Sequence, residues 1–291
     1  MHPKAIVNIK PKYFPVSESL PRFMLAEEAL RGVEDIVKRL GDGKVIGSYY
    51  LEFNRRLEVL RLVEKYCEPG ATLLDLGAQP FIMSCALKRM GYNVMAIDAE
   101  PEPYLSIAES CSVDAVKCDL ERDELKVANA DCAIFTEVLE HLHYYYVPSV
   151  LEKINRALKM RGYLILTTPN IASLFRRLKL LLDKQPIYRH HVREYTMEEV
   201  LELIKGAGFN VVKSYYLLIS DLTYIDADQE DYLKVNGYKD LIRITVKRLT
   251  KVNILRTLAY PLVKLKPSLR QSIIVITTKV EEPKTEIIEK W

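Results

Sequence analysis

With 291 residues, 49% hydrophobic content and a formal net charge of +3, the chain is long enough to bury one good core, or one core and an appendage. Its five cysteines (Cys67, Cys85, Cys111, Cys118, Cys132) are odd in number and form no C-x-x-C pair, which predicts reduced thiols and a cytoplasmic chain. Met1 to Leu20 lack a basic-then-apolar leader, and no uncharged apolar run approaches the ~20 residues that span a bilayer, so the expectation is a soluble or membrane-peripheral protein.

Residues 1–47 read as an N-terminal arm with Pro3, Pro11 and Pro15, followed by a helix. Its apolar positions Leu25, Ala29, Val33, Ile36, Val37 and Leu40 keep a helical period up to Gly41-Asp42-Gly43. A second helix, about Tyr49 to Tyr66, leads through Pro69-Gly70 into the first strand, 72–76. Strands then alternate with helices: strands at 93–97, 115–119, 131–136 and 162–168, and helices near 81–90, 102–110, 148–160 and 196–207. Phe209 to Ile219 adds a strand and Ser272 to Lys279 a last one. The pattern predicts an α/β fold, an open, doubly wound, mostly parallel sheet of seven strands of Rossmann-like type, with ligands bound at the C-terminal strand ends.

Several of those ends carry chemistry. The first strand, ending in Asp75 and Leu76, delivers the chain to Gly77-Ala78-Gln79-Pro80, a small-residue turn that a ligand can approach closely. The second ends in Asp98-Ala99, where an acid can accept hydrogen bonds from a ribose hydroxyl pair. The third ends in Asp119-Leu120, where a carboxylate can meet an adenine amino group. Gly77 stands alone where a pyrophosphate cradle needs further glycines, so the turn favours S-adenosylmethionine over a dinucleotide.

The fourth strand runs into Glu137-Val-Leu-Glu140-His141-Leu142. Together with the acidic strand ends, this resembles the class I S-adenosylmethionine-dependent methyltransferases over roughly residues 48 to 220 plus the closing strand. The subgroup most similar holds the ubiquinone-pathway O-methyltransferases and the small-RNA 3′-end 2′-O-methyltransferases. The resemblance implies an antiparallel last strand, and cofactor contacts from Asp75, Gly77, Ala78, Asp98, Ala99, Asp119, Leu120 and Glu137. At Gln79 the chain departs from the family's usual second glycine.

On a helix, Glu137, Glu140 and His141 at i, i+3 and i+4 would share one face, and His191 follows in Arg189-His190-His191. In the resembling subgroups such residues hold a divalent ion against the acceptor's hydroxyls, which implies Mg²⁺ or Mn²⁺ on Glu137, Glu140, His141 and His191. The alternative is a helix capped by Glu137, a solvated Glu140 and a packed His141. His141, His191 and Glu137 are the candidate catalytic groups, because an acceptor hydroxyl must shed its proton. His143 and Tyr144-Tyr145-Tyr146 either line an aromatic acceptor pocket or sit on the surface. The stripe Ile171, Leu174, Phe175, Leu178 and Leu182, with Arg176, Arg177 and Lys179 beside it, predicts an amphipathic helix over the site's mouth.

The division that follows is a methyltransferase domain over 48–220 with 271–280, an insertion over 221–270, and a tail over 281–291. Between Tyr238 and Arg270 stand nine bases against Asp240 alone, a net of about +8, so the rest of the chain is acidic. The insertion reads as basic amphipathic helices broken at Pro261 and Pro267. It is either a solvated cap or a contact for an anionic surface, membrane or RNA. The acceptor expected is a hydroxyl on a small molecule, a lipid-like quinone precursor or a glycan. An RNA 2′-O-methyltransferase and a non-catalytic methyltransferase-like binding protein are the competing readings.

Overall fold

Residues 24–283 are described by a computed structural model. They run through α1 (Ala26–Arg31), α2 (Glu34–Leu40), α3 (Gly43–Tyr66), β1 (Thr72–Leu76), α4 (Ile82–Arg89), β2 (Asn93–Asp98), α5 (Leu105–Ser110) and β3 (Asp114–Lys117). Next come β4 (Ala130–Thr136), α6 (Val147–Ala157), β5 (Leu158–Pro169), α7 (Leu174–Leu181), α8 (Met197–Gly206), β6 (Phe209–Leu217), α9 (Ile219–Thr223), α10 (Gln229–Lys234), α11 (Tyr238–Lys247), α12 (Lys251–Leu265) and β7 (Ser272–Lys279). The expected arm over 1–15 and most of the tail over 281–291 lie outside the described residues.

The seven strands form one sheet in the order β3-β2-β1-β4-β5-β7-β6, and β7 runs antiparallel to both its neighbours. Strand alternation explains the two-sided core. On β1, Leu73 points to the face covered by α1–α5, while Leu74 and Leu76 point to the face covered by α6 and α8. On β7, Ile274 and Ile276 take the first face and Ile273 and Val275 the second.

Four expectations are corrected. The single N-terminal helix is two, parted at Gly32-Val33. The insertion is helical, but α12 runs through Pro261, and Pro267 opens a short 3-10 turn after it. Tyr260 and Val263, buried with Leu222, Val235 and Leu241 in a third core, anchor α12 on either side of the proline. That packing outweighs a helix-interior proline's penalty of ~3 kcal/mol. The basic excess of 238–270 is partly cancelled within the insertion itself, because Lys247 and Arg248 pair with Asp226, Asp228 and Asp231.

The thiols are the fourth correction. Cys67 is bonded to Cys132 and Cys85 to Cys111, leaving Cys118 free and buried. Spacing gave no hint of this, since the sheet and its flanking helices bring together cysteines 65 and 26 residues apart.

Candidate active site

A cavity of about 1150 Å³ opens where β1, β4 and β5 end, and it carries the chemistry-bearing residues. Its floor holds Asp75, Gly77, Ala78, Gln79, Glu137, Glu140 and Thr167. Its walls come from α3 (Ser48, Glu52, Arg55, Arg56), from α7 (Phe175, Arg176, Leu178, Lys179) and from the insertion (Tyr224, Val252, Leu255, Arg256).

The turn after β1 has the shape of a ligand cradle. Gly77 has φ of +72°, and a Cβ there would run into the Val138 side chain, so both backbone and space require glycine. Asp98 organises the same turn: one carboxylate oxygen accepts from Gln79 N at 2.9 Å and the other from Glu100 N at 3.0 Å. Gln79, where the family pattern has glycine, is tied through its side-chain amide to Glu100 O. Asp75 is buried under the turn and bonded to the Ser84 hydroxyl; burial pushes its carboxyl up to about 6. Asp98 and Ala99 lie beside this cavity at the end of β2. Asp119 and Leu120 lie farther out, past the end of β3, where Asp119 accepts from Glu121 N at 3.0 Å.

Glu137 does not sit on a helix. It closes β4 with φ of +56°, its N–H donates to Thr167 O, and the following residues make a single 3-10 turn, Leu139–His141. The i, i+3, i+4 face expected from the sequence therefore does not form, and Glu137 points toward α3 instead. Its Oε1 lies 2.6 Å from Arg55 Nη1 and accepts from the Thr167 hydroxyl at 2.9 Å. Glu52 bridges Arg55 and Arg56 on α3, at 2.8 and 2.7 Å. The signal was Glu52-x-x-Arg55-Arg56, charges at helical spacing between the buried Tyr49, Tyr50 and Phe53 and the buried Leu57, Val59 and Leu60.

Glu140, His141 and His191 do converge. One donor atom from each lies within 4.8 Å of the others, and the two imidazoles meet edge to face at 4.9 Å between centroids. Glu140 is buried, not solvated: Oε2 accepts from the Thr168 hydroxyl at 3.0 Å, whereas Oε1 has no partner among the described residues. Burial pushes its carboxyl up to about 7. His141 Nδ1 lies 3.1 Å from His190 O, and His191 Nδ1 lies 2.8 Å from Glu194 Oε1. A carbonyl and a carboxylate accept only, so each Nδ1 donates in these contacts and Nε2 is the ring nitrogen left for a further partner.

Partial burial and the neighbouring His191 both lower His141 from the ordinary histidine value. Burial works against ionisation of Glu194, but bonds from His191 and Arg176 hold its carboxyl down at about 2. A buried acid with an unmet oxygen beside two oriented imidazoles is a donor set for a divalent cation. Glu137 stands outside this group.

The acceptor side is arginine-rich. Arg176 is gripped at both ends by Glu194, at 2.7 and 2.8 Å. Arg256, from α12, stacks 3.7 Å from the centre of the Phe175 ring, and its Asp221 partner is 3.8 Å away. Neither Arg256 nor Glu194 carries a motif that singles it out in the sequence. His143 and the tyrosine run lie outside the cavity: His143 pairs with Glu121, and Tyr144 and Tyr145 are exposed.

Comparison with known proteins agrees with this geometry. A family profile described as "Methyltransferase domain" matches residues 50–214. The ribosomal protein L11 methyltransferase of Campylobacter concisus is 28% identical over 175 residues, 55% of this chain and 57% of that protein. The mitochondrial ubiquinone biosynthesis O-methyltransferase of Schizosaccharomyces pombe is 27% identical over 175 residues, 57% of this chain and 61% of that one. The chain thus spans about three-fifths or less of the length of the curated relatives it matches. Among solved structures, an S-adenosylmethionine-dependent methyltransferase from Archaeoglobus fulgidus superposes with a TM-score of 0.55 at 18% identity, covering 82% of this chain and all of that one. The 1,6-didemethyltoxoflavin-N1-methyltransferase of Burkholderia thailandensis, solved with S-adenosylhomocysteine, superposes at 0.51 with 16% identity, covering 94% and 100%. Profile, strand order and glycine cradle together assign the chain to the methyltransferase-domain family, with the fold of the S-adenosylmethionine-dependent methyltransferases.

Proposed function

We propose that the chain methylates a hydroxyl oxygen of a small-molecule or lipid-like acceptor, using S-adenosylmethionine bound at the Gly77 turn and a divalent cation on Glu140, His141 and His191. The observation that carries this reading is the buried Glu140 Oε1, which has no partner among the described residues and lies in one donor cluster with the His141 and His191 rings. When bound, the cofactor supplies an electrophilic methyl group on a sulfonium, for an in-line displacement that needs alignment above all. A cation on the three donors supplies Lewis acidity that lowers the pKa of a ligating hydroxyl.

The chain's own residues do the rest. The glycine turn admits the cofactor and Asp98 fixes that turn. Arg55 and Thr167 hold Glu137 at the strand end beside it. His191, oriented by Glu194, stands as the base if no cation is needed. The Schizosaccharomyces pombe relative is named for ubiquinone biosynthesis, so a phenolic quinone precursor is the first acceptor to assay.

The test has two arms. Calorimetric titration with Mn²⁺ should show one site in the full chain and none in Glu140→Ala, while S-adenosylhomocysteine still binds both. Turnover on the phenol should vanish in chelator and return with Mg²⁺ or Mn²⁺. Undiminished turnover in chelator defeats the cation, and incorporation into RNA but not into phenols defeats the acceptor class.

A further inference from the structure

Helix α12 is apolar on both sides. Its inner stripe, Tyr260 and Val263 with Asn253, packs into the insertion's core, as an ordinary amphipathic helix does. Its outer stripe, Leu255, Leu258, Leu262 and Leu265, recurs at i, i+3, i+7 and i+10 and faces solvent, with Leu258 73% and Leu265 83% exposed. The neighbouring α11 repeats the arrangement. Leu241 and Ile244 are buried, whereas Ile242, Val246 and, just past the helix, Leu249 point outward, the last two 71% and 75% exposed. Across the cavity mouth, α7 ends in Leu180, Leu181 and Leu182, all exposed. Scattered single leucines on a surface need no explanation, but three adjoining elements with outward apolar stripes do.

Two observations say what covers this face. It is continuous with the cavity, because Leu182, Val252 and Leu255 belong both to the exposed apolar set and to the cavity wall. It is also flanked by cations: Lys239, Lys251 and Lys266 are exposed and make no ion pair among the described residues, unlike Lys247 and Arg248. Apolar side chains flanked by unpaired lysines match an anionic bilayer, whose acyl boundary takes the leucines and whose headgroups take the ammonium groups. No helix among the described residues is long and apolar enough to cross a membrane.

We propose that α11, α12 and the end of α7 form a docking face for an anionic membrane surface, which sets the cavity mouth against the lipid. An acceptor with its hydroxyl in the headgroup region and an apolar tail in the bilayer then reaches the site without crossing water. That last consequence rests on the methyl-transfer reading; the docking itself does not.

Flotation of the full chain with vesicles tests it without any acceptor. At low salt the protein should float with phosphatidylcholine vesicles containing phosphatidylglycerol and much less with phosphatidylcholine alone. The pair Leu258→Asp and Leu265→Asp, neither in the cavity wall, should weaken vesicle binding by at least about tenfold. Lys251→Glu with Lys266→Glu should do the same on anionic vesicles. Both pairs should keep wild-type affinity for S-adenosylhomocysteine, which certifies the fold; the corresponding Leu→Ala pair carries the test if the aspartates do not fold. Absence of flotation, or flotation indifferent to both pairs, overturns the proposal. So does a stable dimer that Leu258→Asp dissociates in a chain that ignores vesicles, or lysine-dependent RNA binding without flotation. Failure here leaves the methyl-transfer reading standing, and an unsuccessful acceptor screen leaves the docking face standing.

Discussion

Asp221→Asn should stabilise the folded chain at neutral pH, although it removes one half of a buried ion pair. Asp221 is 3% exposed; Oδ2 accepts from Gln271 N at 3.2 Å, while Oδ1 lies 3.8 Å from Arg256 Nη1 and accepts no hydrogen bond among the described residues. Burial pushes the Asp221 carboxyl up to about 7 and the Arg256 guanidinium down to about 10. Both partners are shifted toward their neutral forms, so at this separation desolvation exceeds attraction. The sign follows by linkage. Between the unfolded value near 3.8 and the folded value near 7, the folded state holds a proton that the unfolded state has released, so stability falls as pH rises through that window. A shift of roughly three units corresponds to about 4 kcal/mol, at ~1.4 kcal/mol per pH unit. Asparagine cannot titrate, and the other buried acids cancel in the comparison. Urea denaturation at closely spaced pH values from 4 to 8 is the assay. Wild type and variant should have similar stability at pH 4 and diverge until the wild type is weaker by several kcal/mol above pH 7. Parallel curves, or a wild type that gains on the variant as pH rises, would refute the reasoning.

Three further outcomes are expected. Gly77→Ala should abolish measurable S-adenosylhomocysteine binding in calorimetry, since a Cβ strikes Val138 and the left-handed backbone alone costs ~1–2 kcal/mol; wild-type affinity would show that the turn is not the cofactor cradle. Peptide mapping without reductant should recover Cys67–Cys132 and Cys85–Cys111 with Cys118 alkylated, and reduction should lower stability by about 4 kcal/mol for the longer loop. Mn²⁺ affinity should rise about tenfold per pH unit below about 7 and level off above it, because Glu140 must give up a proton to bind and His141 is already lowered; a flat profile would remove Glu140 from the ligand set.

The alternation of strands and helices was legible because each buried strand is a short run of Leu, Ile, Val and Ala with its own stop, from Thr72–Leu76 to Ser272–Lys279. Periodicity also pointed to helices in the insertion's basic part, though not to the short α9 and α10. What it could not supply was any relation set by tertiary contact. Glu137, Glu140 and His141 have helical spacing, but the ladder bond from Glu137 N to Thr167 O and the left-handed φ at Glu137 turn the chain before a helix can start. The two disulfides join residues from different layers, so counting cysteines led to the wrong redox state. Arg55 was passed over because charges on a helix are usually solvated, whereas here α3 lies over the site and turns them into it.

The division of labour in the cavity explains why the family assignment does not carry the acceptor with it. On the proposed reading, the cofactor half is the Gly77 turn with Asp98, both at strand ends of the sheet. The facing half is built from Tyr224, Val252, Leu255 and Arg256 of the insertion, which lie outside the profile match, and from Phe175 and Arg176 of α7. Those two groups meet where the Arg256 guanidinium stacks on the Phe175 ring, so a change in the insertion bears directly on α7 and the cavity mouth. The family assignment covers residues 50–214 alone, so this chain's acceptor has to be read from its own wall of insertion and α7 side chains.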